Sequence, residues 1–211
     1  HNGRTPVYST ARESHVACVH ALIAAGADLN LATDSSWTPV HTAAHKGHVA
    51  CVEALVAAGA DVNIPGSSGK TPVYVAALKD NVACVAALVA AGADVNLPNN
   101  DGVTPVYAAA NNNHINCVAA LVAAGADVNL PNNDGVTPVY AAANHGHINC
   151  VQALVAAGAD VNVATGASSW TPVNAAAARG HFGCIEALVA AGADVNIPGS
   201  NGMTPVNVAA L

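Results

Sequence analysis

Several residue sets in this 211-residue chain could do chemistry, and most of them recur at a fixed interval. His41 and His45 stand four apart, a spacing that puts two imidazoles on one helical face and can hold zinc. No Glu lies between them and no third ligand follows, so metal binding is not expected there. His15, His48, His114, His147 and His181 each occupy one recurring position. Asp28, Asp61, Asp94, Asp127, Asp160 and Asp194 do the same. A hard cation needs six or more oxygens around it, and these carboxylates are each alone, so a turn-stabilising role is expected instead. Cys18, Cys51, Cys84, Cys117, Cys150 and Cys184 form a third row. Cysteine with histidine nearby could supply a thiol nucleophile, but Cys18 and Cys51 fall on apolar stripes with Val19, Leu22, Val52 and Leu55. A buried thiol of that kind is inert. Equivalent positions on stacked helices lie about 8–10 Å apart, beyond the roughly 7 Å limit for a disulfide. The row therefore predicts a ladder of buried free thiols. The sequence contains no nucleophile elbow, phosphate loop, Cys-x-x-Cys pair or paired carboxylates. No catalytic residue, cofactor or metal is expected.

The interval belongs to a repeating element. Thr-Pro-Val begins at Thr5, Thr38, Thr71, Thr104, Thr137, Thr171 and Thr204, in steps of 33 residues with a single step of 34. Gly-Ala-Asp-(Leu/Val)-Asn ends at Asn30, Asn63, Asn96, Asn129, Asn162 and Asn196 on the same period. Each unit should open a first helix at Thr-Pro, where proline suits the first helical position. The first unit's second helix should run from His15 to Ala25, with Val16, Val19, Leu22 and Ile23 at helical spacing. Ser14, Gly47, Asp80, Asn113, Gly146 and Gly180 hold the turn between helices. Gly26 and its equivalents end the second helix. The tips between units run from His1-Asn2-Gly3-Arg4 through Thr33–Trp37, Ser67–Lys70, Asn99–Val103 and Asn132–Val136 to Ala164-Thr165-Gly166-Ala167-Ser168-Ser169-Trp170. A sustained period of this size means units that bury their apolar faces only against neighbours.

Thr38-Pro39-Val40-His41-Thr42-Ala43-Ala44, Gly47-His48 and Gly59-Ala60-Asp61-Val62-Asn63 resemble the ankyrin repeat. The resemblance covers the whole chain. It departs in Val after every Pro, in Tyr or Asn in place of His41 (Tyr8, Tyr74, Tyr107, Tyr140, Asn174, Asn207), and in the cysteine row. It implies an all-α repeat solenoid of helix-turn-helix units joined by β-hairpin-like loops. The units are 1–30, 31–63, 64–96, 97–129, 130–162, 163–196 and a partial 197–211, forming one array over 1–211. It implies that the Gly-His histidines bond to neighbouring loops, and that the Asn ending each Gly-Ala-Asp marker bonds backbone at the hairpin base. That Asn can be hydroxylated in the family. The resemblance also implies a non-catalytic scaffold that binds a protein on its concave side, through hairpin tips and helix-one ends. The residues the period leaves unconstrained there are Trp37, His45, Lys46, Lys70, Leu78, Lys79, Val103, Asn111, Asn112, Val136, Asn144, His145, Trp170 and Arg179. Exposed tryptophan is a frequent binding hot spot, so Trp37 and Trp170 lead this set; the competing account is that each packs over a turn that lacks glycine.

Composition narrows the partners. Net charge is −7, and the basic residues Arg4, Arg12, Lys46, Lys70, Lys79 and Arg179 form no block. That disfavours nucleic acid, which requires a dense basic surface. No apolar run approaches the roughly 18 residues of a membrane span, and His1 to Arg12 is too polar for a signal peptide. Free cysteines and the lack of Asn-x-Ser/Thr favour an intracellular setting. The chain begins and ends inside a repeat, which predicts a piece of a longer array. Uncapped ends and near-identical central units support an alternative reading, a structural array or filament that self-associates through terminal repeats. The Asn-rich tips would suit a repetitive glycan.

Overall fold

Threonine and proline together determine where each unit starts. The threonine oxygen accepts from a backbone N–H that has no helical partner, and the proline gives up an N–H that needs none there. In the computed structural model, which describes residues 2–166, 168–200 and 202–209, Thr5, Thr38, Thr71, Thr104, Thr137 and Thr171 are all extended N-caps followed by Pro. His1 and Ala167 of the expected tips, and Leu211 at the close of the last partial unit, lie outside the described residues. Thirteen α-helices and no strand occur among the described residues.

The chain divides into two compact units, residues 1–100 and 101–211, with the division inside the Asn99–Val103 tip. The first contains α1 (Pro6–Arg12), α2 (Val16–Ala24), α3 (Pro39–Lys46), α4 (Val49–Ala57), α5 (Pro72–Leu78) and α6 (Val82–Ala90). The second contains α7 (Pro105–Asn111), α8 (Ile115–Ala123), α9 (Pro138–Asn144), α10 (Ile148–Ala156), α11 (Pro172–Ala178), α12 (Phe182–Ala190) and α13 (Pro205–Ala209). Within each unit, first helices pack on first helices (α1 on α3 on α5; α7 on α9 on α11 on α13), and second helices on second helices. Close approach of the first helices requires small side chains. Ala43, Ala44, Ala76, Ala77, Ala109, Ala110, Ala142, Ala143, Ala175 and Ala176 are accordingly fully buried. Leu55, Leu88, Leu121, Leu154 and Leu188, one each in α4, α6, α8, α10 and α12, are fully buried as well.

The helix-to-helix turn uses one left-handed residue: Ser14, Gly47, Asp80, Asn113, Gly146 and Gly180 all have φ between 57° and 76°. Each second helix ends on a left-handed glycine whose turn is closed by paired bonds, as when Gly59 N–H donates to the Val56 carbonyl and Ala60 N–H to that of Leu55. This geometry satisfies carbonyls the helix would otherwise leave open. The loops that follow carry a regular ladder. Asp61 Oδ1 accepts from Asn63 N–H at 2.8 Å, and Asn63 Oδ1 then accepts from Asp94 N–H at 2.8 Å. Asn129 and Asn162 repeat this bond, to Asp160 and Asp194 respectively. The aspartates are thus turn formers, and each of these asparagines links one repeat to the next.

The cysteine row corrects one expectation. Cys51, Cys84, Cys117, Cys150 and Cys184 are free and buried, but Cys18 is free and exposed. The reason is positional: the row faces the turn of the preceding repeat. Cys150 Sγ lies 3.8 Å from Asn113 Oδ1, and Cys51 bonds Ser14. Burial pushes the Cys51 and Cys184 thiols up, and burial with the Glu53 carboxylate takes Cys84 up to about 11. Cys51, Cys84, Cys117, Cys150 and Cys184 should therefore react slowly with an aromatic disulfide reagent in the folded chain and rapidly once it is unfolded. Two or more fast thiols in the native state would contradict this packing.

Candidate interaction surface

The Thr33–Trp37 tip closes on itself before it presents its tryptophan. Thr33 N–H donates to the Trp37 carbonyl at 2.9 Å, Ser36 N–H to the Thr33 carbonyl at 2.8 Å, and Trp37 N–H to Thr33 Oγ1 at 3.2 Å. Ser36 takes a left-handed φ of 59° to make that turn. The half-buried Trp37 ring then lies nearly parallel to His41, 6.0 Å away at 28°, and edge-on to His45, 5.1 Å away at 64°. Its Nε1–H donates to Ser67 Oγ in the next tip at 3.2 Å. Gly66 passes beneath, where a Cβ would stand 3.1 Å from Trp37 Cδ1, from His41 Nε2 and from the Lys70 carbonyl. Trp37 thus packs across the neighbouring turn, and the rest of its ring is open to solvent.

His41 is fully buried. Its Nδ1 accepts from Thr38 N–H at 3.2 Å and meets Thr38 Oγ1 at 2.8 Å, so Nε2 carries the proton and donates to the Lys70 carbonyl at 3.0 Å. Both nitrogens are committed within the protein. Burial outweighs the bonds to the Lys70 and Ile64 carbonyls and lowers its pKa from 6.5 to about 4. His45 is half-buried, and burial, then Lys79, then Lys46 hold it below its ordinary value. The structure therefore brings Trp37, His45, Lys46 and Lys79 together at the ends of α3 and α5. Lys46 and Lys79 are exposed, whereas Leu78 and Lys70 are half-buried. The Lys70 ammonium lies 5.9 Å from the centre of the Tyr74 ring.

In the second unit, Val103, Val136 and Trp170 close their tips half-buried. Val136 N–H donates to Asn132 Oδ1 at 2.9 Å, and Thr165 N–H to the Trp170 carbonyl at 2.9 Å. Asn111 and Asn144 end α7 and α9 half-buried, with Asn112, His145 and Arg179 exposed one position further on. Asn112 Nδ2 donates back to the Ala108 carbonyl at 2.8 Å. His145 stacks on His147 at 5.7 Å and 25°, and His147 Nε2 bonds the Asn111 carbonyl at 3.2 Å. Burial and the neighbouring His145, His181 and His114 hold His147 below its ordinary value, against the Asn111 bond, which raises it. His48 makes the equivalent bond to the Arg12 carbonyl at 3.0 Å in the first unit.

Two groups escape a reading of the sequence. The tyrosines in the His41 slot look like framework, yet their phenols reach the next tip. Asn99 Nδ2 lies 3.5 Å from Tyr74 Oη, and Tyr140 bonds Ser168. Burial, then Asp134 and Tyr140, raise Tyr107. Burial also raises Tyr140, against the Ser168 bond and Arg179. Phe182, 68% exposed, and Ile148, 37% exposed, open α12 and α10. The period asks only for an apolar residue there, so nothing in the spacing signals that a large one stays uncovered.

Family comparison draws these features together. The family described as "Ankyrin repeats (3 copies)" matches residues 7–99 and 73–165, and "Ankyrin repeat" matches residues 168–200. The chain belongs to the ankyrin repeat family. Among solved structures, the human ASB11 ankyrin repeat domain is 30% identical, with a TM-score of 0.85 over 98% of this chain and 92% of that one. The ankyrin repeat domain of Bcl-3, a member of the IkappaB protein family, is 27% identical, with a TM-score of 0.88 over 99% of this chain and 95% of that one. No curated protein matches the sequence. Ankyrin repeats are a non-enzymatic fold, and their domains are generally protein–protein interaction modules. No helix among the described residues is long and apolar enough to cross a membrane.

Proposed function

We infer that this ankyrin chain is a non-catalytic scaffold, a single array that holds a partner protein on its hairpin tips and helix-one ends, the concave side of such folds. One observation supports this reading above others. Glu13, Lys46, Lys79, Asn112, His145 and Arg179 occupy a single repeat position, and every one of them is exposed. It carries five residue types over six units, with lysine twice, while the threonine, alanine and leucine positions around it hold constant. A position free of packing demands and variable among units is what recognition requires. Trp37, packed on His45 one position before Lys46, and Trp170, half-buried at its own tip, supply the large aromatic area that hot spots draw on.

Peptides selected from a phage-displayed random library on the immobilised full chain provide the test. Lys79→Ala, Asn112→Ala and Arg179→Ala are expected to weaken the selected peptides, at least one of them about tenfold, equivalent to about 1.4 kcal/mol. Glu53→Ala and Glu186→Ala, exposed on the second helices α4 and α12, should leave binding unchanged. Loss confined to the second-helix variants would move the binding face to the other side of the repeat and sink this reading.

A further inference from the structure

Charge is unevenly placed on this acidic protein. Five of the six basic residues, Arg4, Arg12, Lys46, Lys70 and Lys79, fall in residues 1–100, all at tips or helix-one ends. Of the acids in that unit, Asp28, Asp61, Asp94 and Glu53 lie in or after second helices. Glu13 is held by Arg12 at 3.8 Å, which leaves Asp34 and Asp80 as the remaining acids among these tips and helix-one ends. A chain with a net charge of −7 thus presents locally positive ground around Trp37.

That ground is also preformed. The indole is fixed from three sides by His41, His45 and Ser67 before any partner arrives. An aromatic shelf already fixed in one rotamer loses little side-chain entropy on binding. Lys46 and Lys79 stand one repeat apart, about 8–10 Å for packed helices. An extended polyproline-type segment advances about 9 Å in three residues, so carboxylates three positions apart would meet the two ammonium groups together.

We propose that Trp37, His45, Lys46 and Lys79 form a docking site for an acidic peptide segment of a partner protein. The segment is extended, carries Asp or Glu at positions three apart, and has an apolar residue that lies on the Trp37 ring. The proposal rests on the scaffold reading above and specifies its partner. Charge complementarity argues for this occupant: among the described residues, no other tips or helix-one ends join a clamped tryptophan to two exposed lysines at consecutive units.

The same library selection tests it through the charge of what is recovered. Net-acidic peptides with carboxylates three apart are expected, synthesised and measured on the full chain by fluorescence anisotropy. Lys46→Glu combined with Lys79→Glu should weaken them at least tenfold, as should Trp37→Ala, while Glu186→Lys should not. Their affinity should also fall as salt rises, because exposed charges are screened. Thermal melts of the lysine variants, whose side chains are exposed, confirm that the fold is intact. Recovery of neutral or basic peptides, acidic peptides indifferent to the lysine reversal, displacement by unlabelled chain alone, or no enrichment would each overturn the proposal. Neutral peptides that depend on Asn112 or Arg179 would overturn this acidic site and leave the scaffold reading standing. Peptides insensitive to every one of these variants would remove both.

Discussion

Acidification from above pH 6.5 to below pH 4 is expected to remove roughly 3 kcal/mol of folding stability through His41 alone. The folded pKa is about 4, lowered from 6.5 by burial. Between those values the unfolded chain binds a proton that the folded chain refuses, so the contribution is complete above pH 6.5 and disappears as the pH falls toward 4. His41 has no solvent exposure to screen the effect. Its neutral form is also required structurally, since Nδ1 must accept from Thr38 N–H. Other groups respond to acid as well, so the comparison must be with a variant that keeps the cap on α3 and loses the titrating imidazole, with its bond to the Lys70 carbonyl. Asn174 provides the pattern: its Oδ1 accepts from Thr171 N–H at 3.1 Å and its Nδ2 donates to the Ile197 carbonyl at 3.4 Å. His41→Asn should retain the cap on α3 and flatten the dependence of the urea midpoint on pH between 6.5 and 4. Parallel curves for the two proteins would show that His41 already titrates normally in the folded state.

Gly47→Ala should cost about 3 kcal/mol, and Gly59→Ala about 1 kcal/mol, although both glycines are left-handed turn residues. Their φ values, 76° and 87°, penalise any side chain. They differ in what lies opposite. A Cβ on Gly47 would stand 2.7 Å from Asn81 Oδ1, whereas one on Gly59 meets nothing within 4 Å. Asn81 cannot swing away without loss, because its Nδ2 donates to the Ala44 carbonyl at 2.7 Å and to the His45 carbonyl at 3.1 Å. Where the turn residue does carry a Cβ, as at Ser14 and Asn113, the residue facing it is His48 or His147, which bonds a single carbonyl at 3.0 or 3.2 Å. A histidine opposite is no remedy by itself, since a Cβ on Gly146 would stand 2.7 Å from His181 Nδ1. Equal urea midpoints for the two alanine variants would remove Asn81 from the account.

Local chemistry makes much of this fold legible from one chain. The Thr-Pro start, the left-handed turn and the glycine stop are decided within a few residues of themselves. Their recurrence at one interval leaves little freedom in how neighbours stack. Site chemistry is less legible, because it depends on residues about thirty positions apart. Trp37 reads as an exposed aromatic, and only the placement of Ser67, Gly66 and His45 shows how much of it is clamped. Tyr74 and Tyr140 read as substitutions for histidine, and only the next tip shows that their phenols reach across.

The amino-acid order by itself thus determined the repeat, its helices and the chemical identity of each variable position, since backbone preferences and capping act over short stretches. Tertiary structure alone decided which of those side chains are free. Burial is a property of neighbours: it separates exposed Cys18 from five covered cysteines at the same repeat position. It makes His41 a poor base although its type predicts an ordinary one. It also leaves Phe182 open at a position where the period demands only something apolar.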